Sequence, residues 1–290
     1  MSELIIFHAG SLSMSLRHIA QHFERRCPGV KIHMEGSGAR EAARKVTDQR
    51  RPCDIIASAD YRVIDDLLKP DYARFNILFA GNRLVLSFTD KSKFADEINA
   101  ENWFEILLRE GVVYGHTNPE LDPAGYRARL CWQLAEKYYE VPGLYQKLVD
   151  KITPANILTD RDTIRSRMMT GEYDYFFGYE SSARQNGYRF VKLPVAIDFS
   201  SRNCSKYYRQ AHIQLSGKNV GTLMTVKGEP IIYGITLVEG APNPQIATEF
   251  LEFLLEEGES YIKEAGLISL PPEISKGDFA YLPERLRRFF

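Results

Sequence analysis

Three times in about the first seventy residues, a short apolar run breaks through small residues straight into a helical pattern. Leu4-Ile5-Ile6-Phe7 passes through His8-Ala9-Gly10-Ser11 into a helix from about Leu12, with Ile19, Ala20 and Phe23 on one face. Val30-Lys31-Ile32-His33-Met34 passes through Glu35-Gly36-Ser37-Gly38 into a helix that runs through Val46. Residues 54–60 form a third strand that ends in Ala57-Ser58-Ala59-Asp60 and leads to a helix over 61–68. Strands joined by crossover helices pair in parallel, so the fold class is α/β. In such sheets ligands lie outside the carboxyl ends of the strands, which is where Ser11, Ser37 and Ser58 fall. A strand turning directly into a helix leaves backbone N–H groups at the positive end of the helix dipole, and Gly10 lets an anion approach them closely. Any one such turn reads equally as an ordinary β–α connection with Ser11 as N-cap. Three arriving at one rim point to a binding site.

Beyond residue 75 the pattern changes to strand following strand, over 75–80 and 83–88, which reads as a crossing into a second domain. There Asp122 is expected as N-cap and Pro123 as the first residue of a helix reaching Tyr139. A helix over 160–170 stops at Gly171, and the aromatic strand 173–179 feeds another helix through Gly178-Tyr179-Glu180-Ser181. Residues 188–230 read as irregular beyond a strand at 190–193, with Arg202, Lys206, Arg209, Lys218 and Lys227 as a solvated edge. A strand over 231–238 returns to the first domain, Pro244 opens a helix through Leu255, a further turn covers 260–265, and no pattern follows Pro271. The expected domains are 1–81 with 232–290, and 82–231. Two α/β lobes joined by two crossing strands, with helix N-termini from both directed at one cleft, make a clamshell that closes by hinge motion.

At 290 residues with a net charge of -1, the chain has length for two domains and no global pull toward nucleic acid. No apolar segment approaches the ~20 residues of a membrane span. The chain enters a strand by residue 4 and reads as having no signal peptide, and a secreted chain trimmed of its leader would look the same, so this stretch leaves the compartment open. Four cysteines show no metal spacing, but Cys27 and Cys53 each precede a parallel strand at the same end of the sheet, which would let a disulfide join them. There is no G-x-S-x-G elbow, Walker loop or Cys–His motif, and His8 reads as an ordinary strand-end histidine, so no enzyme is expected. A sensor would need an output segment, and no helix-turn-helix is evident.

An oxyanion held by neutral donors is physically reasonable here. Roughly six or seven charge-assisted hydrogen bonds of about 1.5–3 kcal/mol each cover the ~12 kcal/mol of nanomolar binding. Asp122 is the difficulty, because a carboxylate ~4 Å from a dianion costs about 8 kcal/mol at an effective dielectric of about 20. It either points away as a cap, is protonated, or bonds to a central metal atom that accepts further oxygen ligands.

Several stretches in order resemble the tungstate/molybdate-binding proteins of ABC importers, in their archaeal-type branch. They are His8-Ala9-Gly10-Ser11-Leu12-Ser13, DIIASADY (54–61), LVLSFTDK (84–91), DEINAENW (96–103), DPAGYR (122–127), DYFF (174–177) and PIIYGIT (230–236). The resemblance implies a two-lobed, type II periplasmic-binding-protein-like clamshell. It would be a monomer, periplasmic or extracellular and membrane-associated, that delivers a small oxyanion to a membrane permease. Tungstate or molybdate is the implied ligand and no cofactor is implied; sulfate or phosphate binding, or an anion-sensing domain, is the alternative. The family's serine contacts fall on Ser11 and Ser37, its first metal-ligating carboxylate on Asp122, and its cleft tyrosine on Tyr233. Backbone N–H groups around Ala124 and Gly125 would complete that side, where Ala124 replaces the family's usual Cys. Ser58 and Tyr126 join by their place at element ends. The family's second carboxylate is Gly178 here. Glu180 either reaches in from two residues away or serves as a first-turn helix acid.

Overall fold

In the computed structural model, which describes residues 2–275 and 277–290, the first three strands are parallel and end at one level. Strand β1 (Ser2–Ala9) passes through a tight turn at Gly10–Leu12 into α1 (Ser13–Arg26). Next come β2 (Val30–Ser37), α2 (Ala39–Thr47), β3 (Ile55–Ser58), a short α3 (Tyr61–Val63) with a π-helical turn at Ile64–Leu68, and β4 (Ile77–Gly81). The apolar stripe of α1 is buried at Leu16, Ile19, Ala20 and Phe23. On α2 it is buried at Ala42, Ala43 and Val46.

The chain divides into two units: the residues up to Gly81 with Ile232–Phe290, and Asn82–Ile231. The second unit opens with β5 (Leu84–Phe88), α4 (Trp103–Leu108) and β6 (Tyr114–Thr117). It continues with α5 (Pro123–Tyr138), α6 (Leu144–Lys151), β7 (Ile157–Leu158), α7 (Arg161–Thr170) and β8 (Tyr175–Tyr179). Then come α8 (Glu180–Gln185), β9 (Arg189–Lys192), α9 (Ser205–Tyr208) and the hairpin β10 (His212–Ser216) with β11 (Leu223–Lys227). Its five-stranded sheet runs β7-β6-β8-β5-β9, with β6 parallel to both neighbours. Phe177 anchors the core between Trp103 and Trp132, at ring distances of 5.7 and 5.5 Å. Asp174 of the DYFF stretch is structural: its carboxylate accepts the N–H groups of Lys93 and Val113, both at 2.8 Å.

The first unit resumes with β12 (Ile232–Leu237), α10 (Pro244–Glu264) and β13 (Ile268–Ile274). Its sheet is β13-β4-β12-β3-β1-β2, with β12 antiparallel to β3 and β4.

Four expectations change. The helix opened by Pro244 does not stop and restart but runs as one element to Glu264. Gly258 lies buried within it beside Ile19 of α1, and the packing of this face carries the helix through a residue of poor helix propensity. The stretch after Pro271 is the edge strand β13, its register broken between Ser269 and Glu273, an edge being where a sheet tolerates proline. Within 188–230, β10 and β11 pair, and the Gln133 side chain of α5 completes β10 by bonding His212 N–H at 3.0 Å and His212 C=O at 2.9 Å. All four cysteines are free thiols. Cys27 and Cys53 precede β2 and β3, which flank β1 on opposite sides rather than pairing with each other, so the strand order does not bring the two thiols together.

His116 holds the β6–α5 junction. It is wholly buried, its Nδ1–H donates to Thr117 C=O at 2.7 Å, and its Nε2 accepts from Arg129 Nε–H at 2.9 Å. Burial, then the Arg129 charge, push its pKa down to about 3. The unfolded chain therefore takes up a proton below about pH 6.5 that the folded chain refuses until about pH 3, and stability falls as pH drops through that window. From pH 7 to pH 5 this group should cost about 2 kcal/mol of unfolding free energy. Urea titrations should show His116→Gln losing correspondingly less than the wild type over that interval; parallel losses would remove the histidine from the account.

Candidate functional site

The register of the first sheet gathers one set of predicted residues. Ala9 lies opposite Ser37, and His8 opposite Ala57, so Gly10 and Ser11, Ser37 with Gly38, and Ser58 with Ala59 all leave the sheet at its carboxyl rim. Ser11 is not an N-cap, since α1 begins after Leu12 without a side-chain cap. Ser11 lies inside the preceding turn, where its Oγ accepts a 2.8 Å hydrogen bond from the Tyr233 hydroxyl. Tyr233 is fully buried on β12, and the next residue, Gly234, pairs with Ser58. Ser37 is half-buried, donating to Gly38 C=O at 3.3 Å. Gly38 starts α2 with no side-chain cap, so two helices begin uncapped by side chains at this rim. Ser58 differs: wholly buried, it donates to Asp60 C=O at 2.6 Å and accepts Asp60 N–H at 3.2 Å, closing its own turn. Its role here is to shape the loop.

The second set lies at the carboxyl rim of β7, β6 and β8. Asp122 caps α5, with Oδ1 accepting Ala124 N–H at 2.8 Å and its C=O accepting Gly125 N–H at 3.1 Å, ahead of Pro123 at the first helical position. The N–H groups of Ala124 and Gly125, expected to complete the ligand shell, are thus taken up by the cap itself. Gly125 serves close packing, because a Cβ there would stand 2.0 Å from Thr117 C=O. Tyr126 is buried, with the Arg127 guanidinium 5.6 Å from its ring centre, and buried Arg127 reaches the Tyr179 hydroxyl at 2.5 Å. At Gly178 a Cβ would meet only Phe176 Cδ1, at 3.9 Å, leaving room for a side chain. Glu180, first residue of α8, is held by Arg83 Nε at 2.9 Å on Oε2 and by Arg184 Nε at 2.8 Å on Oε1. With both oxygens on arginines it is the helix acid of the two readings, and its reach toward a ligand is withdrawn.

Sequence reasoning, looking for neutral donors, passed over the arginines of both rims. Arg40 is the second residue of α2 and buried, its charge acting on Asp66 alongside Arg62. Arg161, first residue of α7, brings Nη2 to 3.9 Å from Asp122 Oδ2. A cation at the start of a helix opposes the dipole, and that signal could have singled out Arg161. Among the described residues no group of three or more His, Cys, Asp or Glu is placed to hold a metal ion. Nor is any described helix long and apolar enough to cross a membrane.

The chain matches the family described as "Bacterial extracellular solute-binding protein" over residues 4–268. An uncharacterized solute-binding protein of Petrotoga mobilis is 42% identical over 273 residues, covering 93% of this chain and 85% of the relative. The molybdate/tungstate-binding protein WtpA of Thermococcus kodakarensis is 37% identical over 314 aligned positions, covering 99% of this chain and 86% of its own. Among solved structures, the periplasmic molybdate-binding protein of Azotobacter vinelandii matches with a TM-score of 0.65 at 16% identity, covering 92% of this chain and 99% of that one. At that identity the likeness shows the fold, which is that of the periplasmic binding proteins. Two α/β sheets whose parallel strands end in helix starts, and a match along nearly the whole length, establish that this chain belongs to the bacterial extracellular solute-binding protein family, which is not a family of enzymes.

Proposed function

We propose that this chain captures tungstate or molybdate outside the cytoplasm and hands it to the membrane permease of an ABC importer. The observation that carries the reading is the common level at which β1, β2 and β3 end, bringing Gly10, Ser11, Ser37 and two helix starts uncapped by side chains to one rim. Such a rim offers hydroxyl and N–H donors and the positive ends of two helix dipoles, a setting suited to an oxyanion. The relatives named for molybdate and tungstate, similar along the full chain, support the choice of ligand. Each unit brings its own candidate contacts: donors at the strand ends of the first, and the carboxylate of Asp122 in the second. The protein works as a monomer, at the outer face of the membrane that holds its permease.

Asp122 combines two of the roles open to it. One oxygen caps α5, and the other joins the central metal, turning a repulsion of about 8 kcal/mol into a bond that sulfur or phosphorus could not accept. Tyr233 orients Ser11, Ser58 shapes its loop, Tyr126 and Gly125 pack the start of α5, and Gly178 leaves space beside the metal.

In a thermal-shift panel followed by calorimetry, tungstate and molybdate should bind stoichiometrically without turnover and sulfate and phosphate should not; the reverse order would refute the metal-oxyanion reading. Asparagine caps helices as well as aspartate, so Asp122→Asn should fold normally yet weaken tungstate roughly 10- to 150-fold. Unchanged or tighter binding would leave Asp122 a cap alone. The space at Gly178 means Gly178→Glu should also fold, and a second carboxylate there should raise the preference for tungstate over sulfate at least about tenfold. Equal weakening of both anions would show that no metal bond forms on that side.

A further inference from the structure

The β7–α7 junction supplies a charge that the binding site needs and that its motifs do not mention. Strand β7 lies parallel to β6, with Thr117 opposite Leu158, and Asn118 N–H donates to Leu158 C=O at 3.0 Å, so the strand ends that lead into α7 and α5 are bonded side by side. Asp160 caps α7 through Thr163 N–H at 2.7 Å, which holds the backbone at the neighbouring Arg161. The side chain of Arg161 is 46% exposed and its Nη2 lies 3.9 Å from Asp122 Oδ2, whereas the Asp122 side chain is only 12% exposed. The position works against the α7 dipole, although Asp160 and Asp162 on either side soften that.

We propose that Arg161 is a specificity-determining residue of the anion site, set against Asp122 so that a doubly charged oxyanion can approach the carboxylate. The inference rests on the oxyanion reading above. Arg161 adds positive charge beside Asp122, so an incoming dianion meets less repulsion from the carboxylate with it in place than without it. At 3.9 Å the ion pair is longer than a hydrogen bond, so the guanidinium is near enough to cancel charge yet not locked to the carboxylate. Its planar fork can turn two N–H groups onto one edge of a tetrahedral oxyanion, a geometry that lysine lacks. Arg161 therefore favours anions by charge. Tungstate and perrhenate are tetrahedral oxyanions of similar size that differ by one unit of charge, so the pair reads this out directly.

Calorimetric titrations of tungstate and perrhenate into the wild type, Arg161→Gln, Arg161→Lys, Asp122→Asn and the double variant Asp122→Asn/Arg161→Gln test it. Arg161→Gln alters a half-exposed side chain and should melt with the wild type. Its tungstate affinity should fall at least tenfold, with perrhenate falling several-fold less and Arg161→Lys restoring only part of the loss. In the Asp122→Asn background the effect of removing Arg161 should shrink at least threefold, as coupling through the carboxylate requires. Tungstate binding by Arg161→Gln within twofold of the wild type would overturn the assignment, as would equal losses for both anions without coupling to Asp122. A wild type that binds neither anion would instead refute the oxyanion reading itself.

Discussion

Parallel pairing on both sides of β1 decides where everything else in the first unit can stand. Because β2 and β3 each align residue for residue with β1, their last residues cannot be staggered, and the chain must leave all three at one height. Helices that return antiparallel to those strands then start at that height, which sets the first N–H groups of α1 and α2 on one rim. The opposite ends of the strands are closed by Asp54, which is wholly buried and accepts Ile5 N–H at 2.8 Å and Asn243 N–H at 2.6 Å. That carboxylate ties β1 and the start of α10 to β3, and no ligand is needed to explain it.

The second unit handles charge differently. Its rim carries ionised side chains, each committed to a partner: Glu180 to Arg83 and Arg184, Asp122 to the α5 backbone and Arg161, Arg127 to Tyr179. Buried or half-buried charges add little net stability when paired and cost much when a partner is removed, so such an arrangement selects geometry more than it stabilises the fold.

Much of this was legible because the signals were local. Leu4-Ile5-Ile6-Phe7 before Ala-Gly-Ser, or Asp122 before Pro123, announces a strand end or a helix start from a handful of neighbours. What escaped depended on residues far apart in sequence. Nothing near Pro271-Pro272 reveals that β4 has an open edge to receive them, nothing near Gly258 reveals Ile19 beneath it, and β10 reads as irregular without Gln133 to complete it. The same limit applied at the site. The N–H groups of Ala124 and Gly125 looked available until Asp122 took them up, and Glu180 looked available until Arg83, almost a hundred residues earlier, was found on its Oε2. The assignments of Asp122 and Tyr233 came from the resemblance of whole stretches, since neither residue announces a ligand by itself.

The proposed function requires that hydroxyls at the strand ends of the first unit touch the anion directly. Ser37 isolates it best, being half-buried and bonded only weakly to the adjacent Gly38 carbonyl, whereas Ser11 also accepts from Tyr233. The decisive measurement is the tungstate dissociation constant of Ser37→Ala beside that of the wild type, with melting temperatures recorded for both. The expected result is unchanged melting and affinity lowered by roughly tenfold or more, the worth of one charge-assisted hydrogen bond. An unchanged dissociation constant would contradict it.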